Sequence, residues 1–401
     1  MIAKISVWLL IAIVLPDIYI YWRFFIRKGN LHWNHLLWWV PSVAMVAYTV
    51  ALASVRDFAP ADINVLYLYL LLVALIVVPK LLFTLCSLIG MALRKLCHAK
   101  ANYGNLVGLA IGIVVWVVAI YGFTKGFEQV TVRHLTYSSP DIPEAFDGYK
   151  MVQFSDAHVG TYASWRQWVV EAFVDTIMRQ QADIIIFTGD LQDIVPDEIR
   201  PHAHILGRLT APDGVVAIMG NHDYPTYVNV DEKTKASYLW QTQQAMRNMG
   251  WQLLLNSHTA ITRGNDSIII AGMENDGDGI HFPQYGNVEQ TLRGSLPGNM
   301  RGAPDSLASR RDFVVMLQHD PTGWRRKIIP ESNAQLTLSG HTHGGQVKIF
   351  GWSPASLTYS EWGGVYQEGD QTINVSTGVG GVVPFRIGFP GEICVITLKK
   401  T

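Results

Sequence analysis

Four membrane-spanning helices followed by a layered α/β domain with a mixed sheet is the architecture the sequence predicts. Three observations carry it. The 401 residues are 49% apolar and 16% charged, with a mean hydropathy of +0.18; that is rich in apolar side chains and poor in charge for a soluble domain. Four long apolar stretches crowd into the first 125 residues. Beyond them, short apolar runs alternate with helical patterns, and each run ends in a polar or glycine-rich loop, as strands and their crossover helices do.

Charge divides the chain in the same place. Residues 1–125 carry ten Lys and Arg against three Asp and Glu, a net +7, and the remainder nets −8. An acidic second part does not suit nucleic acid, which needs a basic surface to displace counterions. Three cysteines, Cys86, Cys97 and Cys394, exclude a disulfide scaffold.

The apolar stretches run over about 5–22, 36–54, 63–93 and 106–123, each long enough to cross a hydrocarbon core. None shows a sustained polar face, so four buried helices of a soluble core are the poorer reading. Tyr19, Tyr21, Trp22, Trp38 and Trp39 sit near stretch ends, which suits an interfacial belt. Arg23, Arg27 and Lys28 follow the first stretch, and Arg94, Lys95 and Lys100 follow the third; the loop between the second and third has only Arg56, offset by Asp57 and Asp62. The positive-inside bias puts the first and third loops in the cytoplasm and everything after Lys125 outside, with Lys4 and Lys125 opposing slightly. Asp17 and Lys80 fall within spans. Separate snorkelling is the simpler reading, and a mutual pair the alternative.

Residues 126–147, with Ser138, Ser139, Pro140 and Pro143, read as a linker, and 148–401 as one domain. Strands are expected at 149–155, 183–188, 214–219, 251–255, 260–262, 267–271, 313–318, 335–339, 347–350, 372–376 and 393–398. Helices are expected at 164–180, 197–209 and 232–249, with a short one between 318 and 335. Cys394, in the apolar last strand, reads as a buried core thiol.

Five of these runs end in chemistry-bearing residues: Asp156-Ala157-His158, Gly189-Asp190, Gly220-Asn221-His222-Asp223, His319-Asp320 and Gly340-His341-Thr342-His343-Gly344-Gly345. Five of the thirteen histidines lie there. A single strand-end histidine is ordinarily structural; five such loops in one chain point to a site at the carboxyl edge of the sheet, where open α/β sheets bind ligands. Gly378-Val379-Gly380-Gly381 follows a strand but precedes no helix, so it is not a dinucleotide loop. No Ser-His-Asp or nucleophilic cysteine arrangement competes.

In this order the motifs D-x-H, G-D, G-N-H-D, H and G-H-x-H closely resemble the calcineurin-like metallophosphoesterase superfamily, over essentially all of 148–398. The run His341-Thr342-His343-Gly344-Gly345-Gln346 and the stretch Val383-Pro384-Phe385-Arg386-Ile387-Gly388 resemble its membrane-associated YkuE/YaeI branch. Gln192 departs from that branch, which commonly has an apolar residue there. The resemblance implies a four-layer αββα sandwich and two metal ions. Asp156, His158 and His343 would hold the first and Asn221, His319 and His341 the second, with Asp190 bridging. Such a pair of ions can activate one water and clamp a phosphoryl group, and this mixed ligand set suits Mn, Fe or Zn better than Mg or Ca. His222 would protonate the leaving oxygen or stabilise the phosphoryl charge. For Arg386 a surface or salt-bridging role is the plainer expectation, phosphate contact the alternative. Asp193 and Asp223 are expected to orient ligands or cap helices.

The function expected is a phosphohydrolase of the cell membrane that cleaves a phosphoester or pyrophosphate bond. Its catalytic domain would be extracytoplasmic, its substrate a phosphorylated small molecule or lipid, its partners membrane lipid and no nucleic acid. Oligomeric state is left open. The alternative is a non-catalytic membrane-anchored binding or signalling module on the same fold, which loss of ligand residues would betray. A transporter is a third class, disfavoured by the scarcity of intramembrane polar groups.

Overall fold

Each apolar stretch of the first 125 residues folds as a helix long and apolar enough to cross a membrane: Ser6–Phe24, His35–Ala53, Ile63–Leu96 and Gly104–Gly126. The computed structural model describes residues 2, 5–26, 33–55, 57, 59–60, 62–162, 164–279, 282–304, 306 and 311–401. Lys4, Arg27, Lys28 and Arg56, used above to orient the chain, lie outside them. Two units result, Met1–Lys125 and Gly126–Thr401.

In the first unit α1 is Ser6–Phe24 and α2 Val40–Ala53. The third span joins α3 (Ile63–Leu72) to α4 (Val78–Leu96) through one π turn, Val73–Val77. Pro79 explains the turn: its ring crowds the preceding turn and it offers no N–H to the Leu75 carbonyl. The Trp116 indole N–H donates to that carbonyl instead, at 2.6 Å. Trp116 lies on α5 (Gly104–Tyr121). Gly104 and Gly108 of α5 let the helix backbones meet: a Cβ at Gly104 would fall 2.0 Å from the Cys86 oxygen, and one at Gly108 2.9 Å from the Phe83 Cα. This is the close packing that small residues permit in lipid. The two intramembrane charges do not snorkel apart. Lys80 Nζ lies 2.8 Å from Asp17 Oδ1 and donates to Ser42 Oγ at 3.1 Å, while Ser42 donates to the other Asp17 oxygen. Asp17 is fully buried, where pairing offsets its desolvation.

The second unit stacks two six-stranded sheets, ordered β1-β12-β2-β3-β4-β5 and β10-β11-β9-β8-β7-β6. In the first are β1 (Val130–Ser139), β2 (Lys150–Phe154), β3 (Ile184–Phe187), β4 (Val215–Ala217), β5 (Gln252–Leu253) and β12 (Gly391–Lys400). In the second are β6 (Ser257–Arg263), β7 (Asp266–Gly272), β8 (Phe313–Leu317), β9 (Leu336–Ser339), β10 (Gly364–Glu368) and β11 (Gln371–Val375). Strand alternation sorts side chains into three apolar layers. Ile184, Ile186 and Val216 meet Ile268, Val315 and Leu338 between the sheets. Ile185 and Val215 face outward onto α6 (Gln167–Arg179) and α8 (Glu232–Asn248). Val314 and Met316 face outward onto Trp324 and Ile328. Both faces of each sheet are covered, so β3, β4 and β8 are apolar throughout. The result is a four-layer αββα sandwich.

Four readings change. The stretch 126–147 is not a linker, because its residues 130–139 form β1, parallel to β12 over ten residue pairs. β10, too exposed to look like a strand, was not anticipated; it pairs antiparallel with β11. The 347–350 run makes only isolated bridges, Val347 with Ile387 and Ile349 with Trp352. The 197–209 helix is reduced to a turn at Pro196–Glu198 and α7 (Ala203–Leu206).

Candidate metal centre

β2, β3 and β4 are parallel neighbours, as are β8 and β9, so their carboxyl ends come to one edge of the sandwich. Short backbone bonds bind the loops there: Asp156 N–H to Gly189 O at 2.8 Å, His158 N–H to Asp190 O at 3.1 Å and Gly340 N–H to His319 O at 3.0 Å. Other bonds cross between the sheets. His341 N–H donates to the Asp156 carboxylate at 3.0 Å, and His319 Nδ1 meets Thr188 O at 2.7 Å.

The expected residues assemble into two groups whose ligand atoms lie within 4.8 Å of one another: Asp156, His158 and His343, and Asp190, His319 and His341. Asp190 stands between them. Its Oδ2 is 3.5 Å from His158 Nε2 and 3.1 Å from His319 Nε2, and its Oδ1 accepts the His222 N–H at 2.8 Å. Asn221 turns its amide oxygen to His341 Nδ1 at 2.7 Å, because its Nδ2 donates to Tyr227 Oη at 2.7 Å.

The loops are held in an unusual conformation. Of the ten non-glycine residues at positive φ among the described residues, five are Asp156, His158, Asp190, His341 and His343. Left-handed backbone is costly for L residues and collects at functional sites. Gly189 (φ +96) and Gly340 admit the approach: a Cβ on Gly189 would meet Gly220 N at 2.4 Å, and one on Gly340 would meet Ser155 Oγ at 1.9 Å.

The electrostatics suit cations. Burial opposes charge on His158 and His319, yet the Asp190 carboxylate, with Asp193 and Asp156 behind it, overcomes that. His158 is pushed well above the ordinary imidazole range and His319 up to about 9. Asp190 is buried, but His319, His222 and His158 hold its carboxyl well below the usual range. Burial raises Asp156. His158 Nε2 and His319 Nε2 are buried and face the Asp190 carboxylate at 3.5 and 3.1 Å without a well-aligned hydrogen bond. Such atoms are costly to leave poorly paired. Imidazoles that keep a proton because carboxylates crowd them fit a site where a pair of metal ions would take the place of those protons.

His222 is fixed differently. Its Nδ1 meets Asp193 O at 2.5 Å, its ring stacks on Tyr227 with centroids 4.4 Å apart, and burial depresses it to about 4. The Asp223 carboxylate accepts N–H bonds from Gly220, Asp190 and Leu191, each at 2.9 Å, tying two ligand loops together. Asp193 lies 3.1 Å from His158 Nδ1 and orients that ring. Gln192, the departure from the branch pattern, donates to His222 O at 3.2 Å and accepts from Thr242 of α8 at 2.9 Å.

Arg386 corrects an expectation. It is neither at the surface nor salt-bridged but fully buried, donating to the carbonyls of Thr377 (2.8 Å), Gly378 (3.0 Å), Gly380 (2.5 Å) and Phe389 (3.3 Å). It staples the 377–381 loop over Asp156, so closely that a Cβ on Gly378 would lie 2.6 Å from the Asp156 Cβ. Tyr227 and Tyr359, whose Oη is 3.0 Å from His341 Nε2, were not singled out from sequence, and Asp320, 3.3 Å from the same nitrogen, was noted beside His319 without a role. Asp320 adjoins a motif; the tyrosines carry no signal of their own. Cys394 is buried and free, as expected.

Known proteins share both parts of this chain. Residues 3–127 match a family described as "Probable Calcineurin-like phosphoesterase, transmembrane domain", and residues 149–345 match "Calcineurin-like phosphoesterase". The Bacillus subtilis protein named "Uncharacterized metallophosphoesterase YkuE" is 31% identical over 325 residues, covering 77% of this chain and 100% of that one. A Danio rerio "Transmembrane protein with metallophosphoesterase domain" is 27% identical, covering 72% of this chain and 62% of that one. The Chlamydia trachomatis "UDP-2,3-diacylglucosamine pyrophosphatase LpxG" is 24% identical, covering 72% and 94%.

Proposed function

Because the chain belongs to the calcineurin-like phosphoesterases, in their membrane-associated YkuE-like branch, and is a multi-pass membrane protein and metal-dependent hydrolase, we propose that it cleaves a phosphoester or pyrophosphate bond of a lipid-linked substrate at the membrane surface. The observation that carries the hydrolytic reading is Asp190, whose one carboxylate oxygen faces imidazoles of both ligand groups. Asp156, His158 and His343 would hold one ion and Asn221, His319 and His341 the other, with Asp190 shared. Mn, Fe or Zn bound there would supply Lewis acidity and an activated water.

The protein's own groups divide the remaining tasks. Asp223 and Arg386 keep the ligand loops registered. Tyr227 holds Asn221 oxygen-inward and packs the His222 ring. With Nδ1 against the Asp193 carbonyl, His222 presents Nε2 as its other nitrogen. Resting neutral, as its depressed pKa implies, it takes up a proton only when anionic phosphate arrives, and it returns that proton to the departing oxygen. The lipid substrate is supported by the four spans, which a soluble substrate does not require, and by the name of the chlamydial relative. The cation-rich loop after the third span supports an extracytoplasmic catalytic unit.

A hydrolysis screen of the purified full-length protein with Mn tests the reading. The substrates are a nitrophenyl monoester, a nitrophenyl diester and a sugar-nucleotide lipid. Preferred turnover of the lipid is the expected result; turnover of soluble esters alone would discard the lipid assignment, and none at all would favour the non-catalytic alternative.

A further inference from the structure

The chain leaving His343 reverses in a two-residue turn. Ile349 N–H donates to Trp352 O at 2.9 Å, and Trp352 N–H to Ile349 O at 3.0 Å. The corner residues Phe350 (φ +51) and Gly351 (φ +85) both have left-handed backbone, the geometry of a turn that selects Asn, Asp or Gly. Gly351 obeys that preference. Phe350 violates it and gains no packing in return, since its side chain is 105% exposed. Ile349, Trp352 and Leu357 around it are 50%, 52% and 78% exposed. Single exposed apolar residues are ordinary; four in nine residues on a strained tip form a patch of the kind that marks an interaction surface.

The chain itself indicates what covers the patch. The fourth span ends at Gly126 and β1 starts at Val130, so three residues tether the catalytic unit to a bilayer. The ground where that tether joins the unit is continuous with the loop. Phe127 stacks on Tyr162, centroids 5.2 Å apart. The neighbouring Thr161 donates to Gly381 O at 2.9 Å, and Gly381 abuts Gln346, which donates to Val383 O at 2.9 Å. Beside Tyr162, Trp165 is 66% exposed, with the Arg166 guanidinium 4.3 Å over its ring. Exposed Trp, Phe and Leu beside the exposed Lys348 is the composition that settles at a lipid–water boundary.

We propose that the 348–357 loop is a membrane-docking element. Phe350, with Ile349, Trp352 and Leu357, enters the headgroup–acyl boundary and holds the rim of the metal centre at the lipid surface. The proposal is independent of the substrate reading, because its test reads lipid contact directly.

The test uses the full-length protein with Cys86, Cys97 and Cys394 replaced and Phe350→Cys carrying an environment-sensitive fluorophore. It is reconstituted in vesicles of phosphatidylcholine and phosphatidylglycerol containing nitroxide-labelled lipid. Emission should shift to the blue and be quenched by the lipid nitroxide. A label at Asp370→Cys, in the turn at the opposite end of β11 from the metal centre, should not be quenched. A second measurement places the label at Leu357→Cys, with Phe350 intact or Phe350→Asn. Asparagine suits the left-handed corner, so thermal stability and hydrolysis of a soluble nitrophenyl ester should hold. Quenching at 357 should fall roughly ten-fold, the weight of one aromatic side chain returned to water. Absence of lipid quenching at 350 overturns the proposal. So does a blue shift that follows protein density without quenching, which would mean that a second copy of the chain covers the loop.

Discussion

Asp190→Asn sets two demands on one side chain against each other. In the wild type Oδ1 accepts the His222 N–H at 2.8 Å, while Oδ2 faces His158 and His319 at 3.5 and 3.1 Å. An amide has one oxygen. If it turns to His222, an NH2 group faces the two imidazoles and the bridging ligand is lost. If it turns to the imidazoles, two buried donors confront each other at His222, a penalty of roughly 1–3 kcal/mol. Either way the carboxylate charge shared by both groups disappears. At least one of the two ions should therefore be lost, and turnover should fall by at least ~10³-fold, about 4 kcal/mol in the barrier. Elemental analysis of the purified protein gives metal per chain, hydrolysis of a nitrophenyl phosphoester gives turnover, and thermal unfolding confirms the fold. Near-wild-type turnover with both ions retained would refute the bridging assignment.

Four further outcomes are expected. His222→Ala should slow an alkyl phosphoester by roughly 10²–10⁴-fold, the range of general acid catalysis, spare an ester with an acidic phenol leaving group, and leave metal content unchanged; equal slowing of both esters would make His222 a charge stabiliser. Metal affinity of the stripped protein should rise with pH up to about 9, because His319 without metal is protonated below about 9 and ligation must displace that proton; a flat affinity between neutral pH and 9, by titration calorimetry, would count against His319 as a ligand. Arg386→Met removes donors from buried carbonyls at 2.5–3.0 Å and should cost roughly 2–4 kcal/mol by denaturant unfolding, the orphaned acceptors outweighing relief of a buried charge; an unchanged midpoint would show that the loop stands without its staple. With Cys86 and Cys394 replaced, native Cys97, exposed in the loop after the third span, should resist a membrane-impermeant thiol reagent in intact cells, and Ser138→Cys should react; the reverse pattern would put the catalytic unit in the cytoplasm.

The sequence alone determined the spans, because a hydrocarbon core demands long uninterrupted apolar stretches and nothing else in the chain resembles them. It determined the central strands and the residues at their ends, because a strand covered on both faces must be apolar and the turn after it is where polar chemistry resumes. Tertiary structure alone decided what depends on partners remote in the chain. β1 was hidden, since its pattern is half exposed and its strand partner among the described residues is β12, more than 250 residues away. Asp17 and Lys80 became a pair only when α1 and α4 packed together. Arg386 looked like a surface cation because its acceptors are backbone carbonyls, which every sequence has and none displays. Tyr227 and Tyr359 joined the site for a related reason: a hydroxyl's role depends on which nitrogen lies 3 Å away, and the folding of the loops that bring Tyr227 to Asn221 and Tyr359 to His341 sets that distance, with no residue pattern to mark it.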